Sequence, residues 1–134
     1  MERRASIFYP TVSAVLKAYA EIMMISSDSA SSYVRDLPLL ESALNRPRAA
    51  AYYEQADLIQ QAASLLWGLV QNHPFVDGNK RTAFVVMVGF LRANGWMIDA
   101  TVNDKFTLVI GVTQHFSPQE VAEWIREHVM PFDP

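Results

Sequence analysis

Nine consecutive residues, His73 to Arg81, bring together side chains that suit phosphate chemistry. The Asp77-Gly78 pair indicates a turn, and an apolar pattern with helical spacing follows it directly. At the start of such a helix, backbone N–H groups point outward without partners and carry partial positive charge, which favours bound phosphate. Lys80 and Arg81 fall in the first turn, where a cation costs about 0.3–1 kcal/mol unless an anion binds. The segment therefore predicts a polyphosphate site.

Two more side chains of the segment suit metal binding and proton transfer. Asp77 is a hard oxygen ligand beside the predicted phosphate site, and Mg²⁺ binds well to one carboxylate together with phosphates and water. His73 belongs to the residue type that exchanges protons near neutral pH, so it is the candidate general base. Pro74 restricts the backbone, and Phe75 can anchor the loop by burial. These parts describe phosphoryl or nucleotidyl transfer, although the residues alone equally allow a polar connection between two helices.

The elements that would position this segment are predicted to be helical nearly throughout, because apolar residues recur at three- and four-residue spacings. The predicted helices run from Thr11 to about Ser26, Leu37 to Leu44, Asp57 to about Asn72, about Asn79 to Asn94, roughly Val102 to His115, and Ser117 to about Val129. We expect Pro47 to end the second helix, and Ser26–Ser32 to form a mobile loop. Asp57 can cap the third helix, Asn94-Gly95 predicts a left-handed end for the fourth, and Trp96 to Ala100 can form a short extended piece. The helix after the motif is apolar nearly all round, which predicts a central position.

The composition limits the class of protein. A chain of 134 residues with 51% hydrophobic and 19% charged residues fits one compact domain over residues 1–134. The net charge is -3 and the basic residues are scattered without a recognisable shared face, so direct DNA binding is not expected. The absence of cysteine excludes disulfides, thiolate nucleophiles and Cys-zinc sites. No apolar run is long enough for a signal peptide or a membrane span, which favours a cytoplasmic protein without membrane contact.

The motif also resembles a known family signature. His73-Pro74-Phe75-Val76-Asp77-Gly78-Asn79-Lys80-Arg81 is similar to H-P-F-x-[D/E]-G-N-[G/K]-R of the Fic/Doc family, without a break. Leu39–Leu44 with Arg46-Pro47, and Leu91–Gly95, resemble the death-on-curing branch, so the resemblance covers roughly residues 35 to 130. It implies an all-α fold: a compact single-domain bundle of about six helices, with the motif loop before a buried central helix.

The resemblance also implies roles for the motif residues. His73 would take the proton from a hydroxyl of a target protein, and Asp77 would bind Mg²⁺. Gly78 and Asn79 would line an anion hole, and Arg81 would contact phosphate. Most members of the family transfer AMP from ATP to Ser, Thr or Tyr.

Two positions depart from the AMP-transferring pattern. Lys80 stands where that pattern usually has glycine, and Phe84 stands where it usually has a second arginine. Both departures resemble the death-on-curing branch, which transfers the γ-phosphate to the elongation factor that carries aminoacyl-tRNA. Without the second arginine, the phosphates lose one bidentate contact, which agrees with a nucleotide bound in the reversed orientation that presents its γ-phosphate to the hydroxyl. We therefore predict a toxin with ATP and Mg²⁺ as cofactors that phosphorylates a Ser or Thr hydroxyl; the alternatives are an AMP transferase and an inactive binding or regulatory module.

The family also implies a partner, the cognate antitoxin of a type II toxin–antitoxin system. The inhibitory motif [S/T]-x-x-x-E-[G/N] of some relatives does not occur in this sequence, which favours inhibition by a separate protein. Aromatic residues on exposed helix surfaces could receive that partner. The candidates are Tyr52, Tyr53, Trp67 and Trp96, and the alternative for all four is a place in the core.

Overall fold

The helix before the motif has the most continuous burial in the fold and organises the elements around it. In the computed structural model, which describes residues 6–132, this helix spans Leu58–Asn72. Asp57 caps it as predicted, and the structure shows a full capping box: Asp57 accepts from the Gln60 N–H at 2.8 Å, and the Gln60 side chain accepts from the Asp57 N–H at 2.8 Å. Its Leu65 and Leu66 are fully buried, and each such side chain contributes about 1.5–3 kcal/mol.

Seven α-helices and a small sheet make up the described residues, which confirms the predicted all-α class. In chain order the elements are α1 Val12–Met23, α2 Ser27–Ala30, a 3₁₀ turn Ser31–Tyr33, α3 Leu37–Glu54, α4 Leu58–Asn72, α5 Asn79–Ala93, β1 Trp96–Ile98, α6 Val102–Gln114, α7 Pro118–His128 and β2 Val129–Pro131. The helices α3, α5 and α7 pack around α4. No helix among residues 6–132 combines the length and apolar character that a membrane crossing requires. A single domain over 1–134 stays a prediction, since it includes residues outside that range.

The expected end of α3 at Pro47 was wrong, because the helix continues to Glu54. A proline inside a helix costs about 3 kcal/mol through its missing N–H and its clash with the preceding turn. Packing along the full length of α4 offsets that cost. Pro47 itself is buried in this interface, and the neighbouring Arg46 places its guanidinium 4.9 Å from the centre of the Trp67 ring. Tertiary contact therefore outweighs the local helix-breaking tendency.

The expected mobile loop over Ser26–Ser32 was also wrong, since this segment forms α2 and the 3₁₀ turn. Ala30 is fully buried and fixes the segment to the core. Serine hydroxyls form hydrogen bonds within these short turns: Ser32 Oγ donates to the Ser29 carbonyl at 2.6 Å, and Ser26 Oγ lies 2.8 Å from Ser29 Oγ. The polar composition thus reflects local hydrogen bonding rather than a lack of structure.

The helix α5 is buried on one side rather than on all sides. Met87 and Leu91 face the core, whereas Val85 is 39% exposed and Gly89 lies open to solvent. Gly95, with a φ of 93°, follows the last turn and ends the helix as predicted. The predicted extended stretch after it is β1, which pairs with β2 in an antiparallel sheet. The second strand was not predicted.

Candidate functional site

The motif loop joins α4 to α5 and opens into a cleft of about 810 Å³. One wall contains His73, residues 76–81, Phe84 and Val85, and the facing wall belongs to α6. The predicted residues His73, Asp77, Gly78, Asn79, Lys80 and Arg81 therefore share one cleft. Pro74 and Phe75 lie beneath it, since both are buried.

His73 ends α4 and presents its side chain at the edge of this cleft. Its backbone is left-handed, with a φ of 47° and a ψ of 57°, which is uncommon for a residue with a side chain. The Arg35 guanidinium fixes this turn by donating to the carbonyls of His73 at 2.9 Å and Asn72 at 3.0 Å. These bonds satisfy carbonyl groups that the helix end leaves free. The imidazole is exposed and has no hydrogen-bond partner among residues 6–132, so it can receive a proton.

The segment before α3 holds the middle of the motif loop through backbone contacts. The Pro74 carbonyl accepts from the N–H of Arg35 at 2.7 Å and from the N–H of Asp36 at 3.3 Å. The N–H of Val76 donates to the Tyr33 carbonyl at 2.9 Å. These bonds fix the loop on both sides of Phe75.

Phe75 is the buried anchor of the loop, with 2% of its surface exposed. The ring of Tyr19, from α1, stacks on it with centroids 4.1 Å apart. The Asn79 side chain accepts from the Phe75 N–H at 2.9 Å and donates to the Phe75 carbonyl at 2.8 Å. Because both ends of this amide bind the loop, Asn79 has only its backbone N–H to offer an anion.

Gly78 lies where the loop passes over α1, and the geometry requires glycine there. Its φ is 74°, and an added Cβ would come within 2.8 Å of Met23 Sδ. The Tyr19 hydroxyl donates to the Asp77 carbonyl at 2.9 Å. Burial, followed by the nearby Asp77 charge and by Tyr33, raises the pKa of Tyr19, so this hydroxyl keeps its proton. The helix α1 is therefore the platform of the loop.

Asp77 has one carboxylate oxygen available to a cation. Its Oδ1 accepts from the Gly78 N–H at 2.8 Å, and the other oxygen has no partner within the described part of the chain. No cluster of three or more His, Asp or Glu side chains suited to a metal occurs among residues 6–132. A single exposed carboxylate fits Mg²⁺, which completes its shell with phosphate oxygens and water.

Three cations converge on the cleft. Lys80 and Arg81 are exposed in the first turn of α5, and no side chain within residues 6–132 caps the start of that helix. Lys105 reaches the same cleft from α6. Three of the basic residues that are scattered in the sequence thus share one cleft, because α6 brings Lys105 to the cleft that contains Arg81, 24 positions earlier in the chain. Phe84 also lines this cleft and is half-buried.

The aromatic residues considered as a partner surface differ in their exposure. Tyr52 and Tyr53 each expose 76% of their surface, so the core alternative was wrong for this pair. Trp96 exposes 36%. Trp67 is half-buried and donates its indole N–H to the Phe116 carbonyl at 3.1 Å, which makes it part of the packing.

Comparison with known proteins agrees with the motif. A family model described as the Fic/DOC family matches residues 9–91, which is more than half of the chain. The chain belongs to the Fic/Doc family. The match begins before α1 and ends in α5, whereas the resemblance seen in the sequence ran from roughly residue 35 to 130. The helix α1, which that resemblance left out, supports the motif loop through Tyr19 and Met23.

Two curated relatives support the Doc-like branch of this family. The chain is 46% identical over 69 residues to Toxin Doc of Mycolicibacterium smegmatis, a match that covers 50% of this chain and 53% of that protein. It is 32% identical over 87 residues to Protein kinase doc of Escherichia phage P1, covering 64% of this chain and 69% of that protein. The chain thus spans about half of the first relative and about two thirds of the second.

A solved structure shares the fold. The N-terminal Fic domain of a VirB-translocated Bep effector protein from Bartonella quintana, crystallised with ADP, superposes with a TM-score of 0.53 at 23% identity. The match covers 72% of this chain and 48% of that chain. This likeness supports the Fic fold.

Proposed function

We propose that this protein transfers the γ-phosphate of ATP to a Ser or Thr hydroxyl of a target protein. The observation that carries the proposal is the position of the unpartnered His73 imidazole in the same cleft as Asp77 and three cations. A base beside a cationic phosphate site is what phosphoryl transfer to a hydroxyl needs, because that reaction depends mainly on positioning and charge neutralisation.

The proposed reaction balances with these groups alone. The hydroxyl oxygen forms a bond to the γ-phosphorus while its proton passes to His73, and the bond from that phosphorus to the β,γ-bridging oxygen breaks. ADP leaves, and His73 releases the proton to solvent. The N–H groups at the start of α5, including that of Asn79, would face the phosphates together with Lys80 and Arg81, whereas the Gly78 N–H already binds Asp77.

Mg²⁺ is the cofactor that the free oxygen of Asp77 would hold. When bound, the ion neutralises phosphate charge. Asp77 needs no large movement for this role, because the Tyr19 hydroxyl and the Gly78 N–H already fix its backbone and one of its oxygens.

Phosphate transfer is favoured over AMP transfer by two residues of the cleft wall. Lys80 fills the position next to Asn79 with a charged side chain, and Phe84 supplies no phosphate anchor on the next turn. The relative from phage P1 is named a protein kinase, which agrees with this choice. Incubating the protein and a cell lysate with γ-labelled or α-labelled ATP tests it. We expect label on the target from the γ-position and a mass increase of one phosphate; label from the α-position would establish AMP transfer instead.

We further propose that the protein is the toxin of a type II toxin–antitoxin pair. The target class is the elongation factor that carries aminoacyl-tRNA, so its modification would block translation, and the protein partner would be the cognate antitoxin. The supporting observation is the 46% identity to a protein named Toxin Doc. Expression should arrest growth, and His73→Ala should abolish the arrest. An arrest that survives His73→Ala would favour a binding module without catalysis.

A further inference from the structure

Lys105 is a cation of the cleft that lies outside the motif. It is the fourth residue of α6, where its main-chain N–H donates to the Thr101 carbonyl at 3.1 Å, and its side chain is half-buried. Lys80 and Arg81, on the opposite wall, are exposed. Lysine commonly buries its methylene groups and keeps the ammonium in water, so the half-buried Lys105 presents its charge in the cleft, where an anion would be its partner.

The acidic neighbour of Lys105 does not supply that partner. Asp104 accepts from the Thr101 N–H at 3.3 Å as part of the α6 capping box, and its other contact is His128 Nε2 at 3.8 Å. The two salt bridges formed within residues 6–132 are Asp104 with His128 and Asp57 with Arg126. Lys105 therefore has no ion-pair partner in that range, although it sits at the positive end of α6, where a cation is unfavourable.

The partner that fits is the polyphosphate of the nucleotide. We propose that Lys105 binds the phosphate chain from the α6 wall, across the cleft from Lys80 and Arg81. This inference rests on the proposed function, because it takes ATP as the ligand. A nucleotide held from both walls would keep its phosphates fixed while His73 and the hydroxyl react, which lowers the entropic part of the barrier.

The charge of Lys105 can be removed without changing the length of the side chain much. We expect Lys105→Gln to weaken binding of the non-hydrolysable β,γ-imido analogue of ATP by about tenfold or more, measured by isothermal titration calorimetry. Lys105→Arg should keep most of the affinity because it keeps the charge. Lys17→Gln is the matched control, since Lys17 is an exposed lysine of α1 outside the cleft lining.

The dependence on salt separates a charge contact from a packing effect. The gap between wild type and Lys105→Gln should shrink between about 0.05 M and about 0.5 M ionic strength, because salt screens the attraction. Unchanged affinity in Lys105→Gln, with wild type and Lys17→Gln binding normally, would overturn the inference and leave the proposed function standing. An equal loss in Lys105→Arg would also overturn it, since charge would then not matter. A wild-type protein that does not bind the analogue would overturn both.

Discussion

Asn79 should be needed for stability as much as for chemistry, and Asn79→Ala tests this directly. The substitution removes the two hydrogen bonds, of 2.9 and 2.8 Å, that the amide makes to the N–H and carbonyl of Phe75. Both residues are buried, so water cannot easily replace the lost partners. Leaving a buried polar group unpaired costs about 1–3 kcal/mol, and two such groups together about 2–6 kcal/mol.

That cost is a large fraction of the stability of a domain, which is typically about 5–15 kcal/mol. We expect the melting temperature of Asn79→Ala to fall by roughly 10 °C, measured by circular dichroism. Urea denaturation should show the lower free energy of unfolding at 25 °C.

The neighbouring residue provides the control. Lys80 is exposed in the first turn of α5, so Lys80→Ala should leave stability unchanged or raise it by up to about 1 kcal/mol. Both variants should lose phosphate transfer, but only Asn79→Ala should lose stability. The reasoning fails if Asn79→Ala melts within about 2 °C of wild type, or if Lys80→Ala is destabilised as much.

Four further predictions concern stability. Gly89→Ala should raise the free energy of unfolding by about 0.5–1 kcal/mol, because nothing lies within 4 Å of the new Cβ. Gly111→Ala should lower it by about 1–3 kcal/mol, because the Cβ would lie 2.5 Å from the Phe116 ring. Burial alone would raise the pKa of Asp57, but hydrogen bonds from the start of its helix and from Arg126 lower that pKa below the usual 3.8. Asp57→Asn should therefore lower the free energy of unfolding at neutral pH, and progressively less as the pH falls below about 4. Burial is the main cause that raises the pKa of Tyr19 above the usual 10.0. Tyr19→Phe should therefore lower the free energy of unfolding by about 0.5–1.5 kcal/mol at pH 7, and by less as the pH rises through that raised pKa.

Urea denaturation measures all of these changes. For the glycines, a shift of the same sign in both variants would contradict the role of space around the Cβ. For Asp57→Asn and Tyr19→Phe, the free energy of unfolding of the variant is compared with that of the wild type at several pH values. A difference that stays constant across the titration range would contradict the assigned cause of the pKa shift.

The features predictable from sequence are those that depend on neighbours along the chain. The cap of α4 by Asp57 and the left-handed stop at Gly95 follow from local residue types, and the structure confirms both. The motif places its own residues in one cleft because nine consecutive residues cannot separate far. In contrast, the continuation of α3 through Pro47 depends on packing against α4, which no local pattern contains.

The same distinction explains the site residues that the sequence did not reveal. Tyr19 belongs to an apolar stripe of α1 and looks like any core residue, although its hydroxyl supports the motif. Arg35 lies 38 positions before His73, and no spacing signals that its guanidinium caps the end of α4. Lys105 is one of several scattered cations until α6 folds over the cleft. Asn79 was identified, but its amide engages the loop rather than the open cleft.

The two left-handed residues of the loop show how the base is held in place. Gly78 adopts its φ of 74° without cost, whereas the φ of 47° at His73 costs a residue with a side chain roughly 1–2 kcal/mol. The Arg35 guanidinium offsets this strain through the carbonyls on either side of the turn. Left-handed residues also end α1 at Met24 and α3 at Gln55, so this conformation is an ordinary way to end a helix, and what sets His73 apart is the contact from Arg35. A backbone fixed in this way leaves only side-chain rotation at His73, so the imidazole can turn toward a hydroxyl while its attachment point stays still.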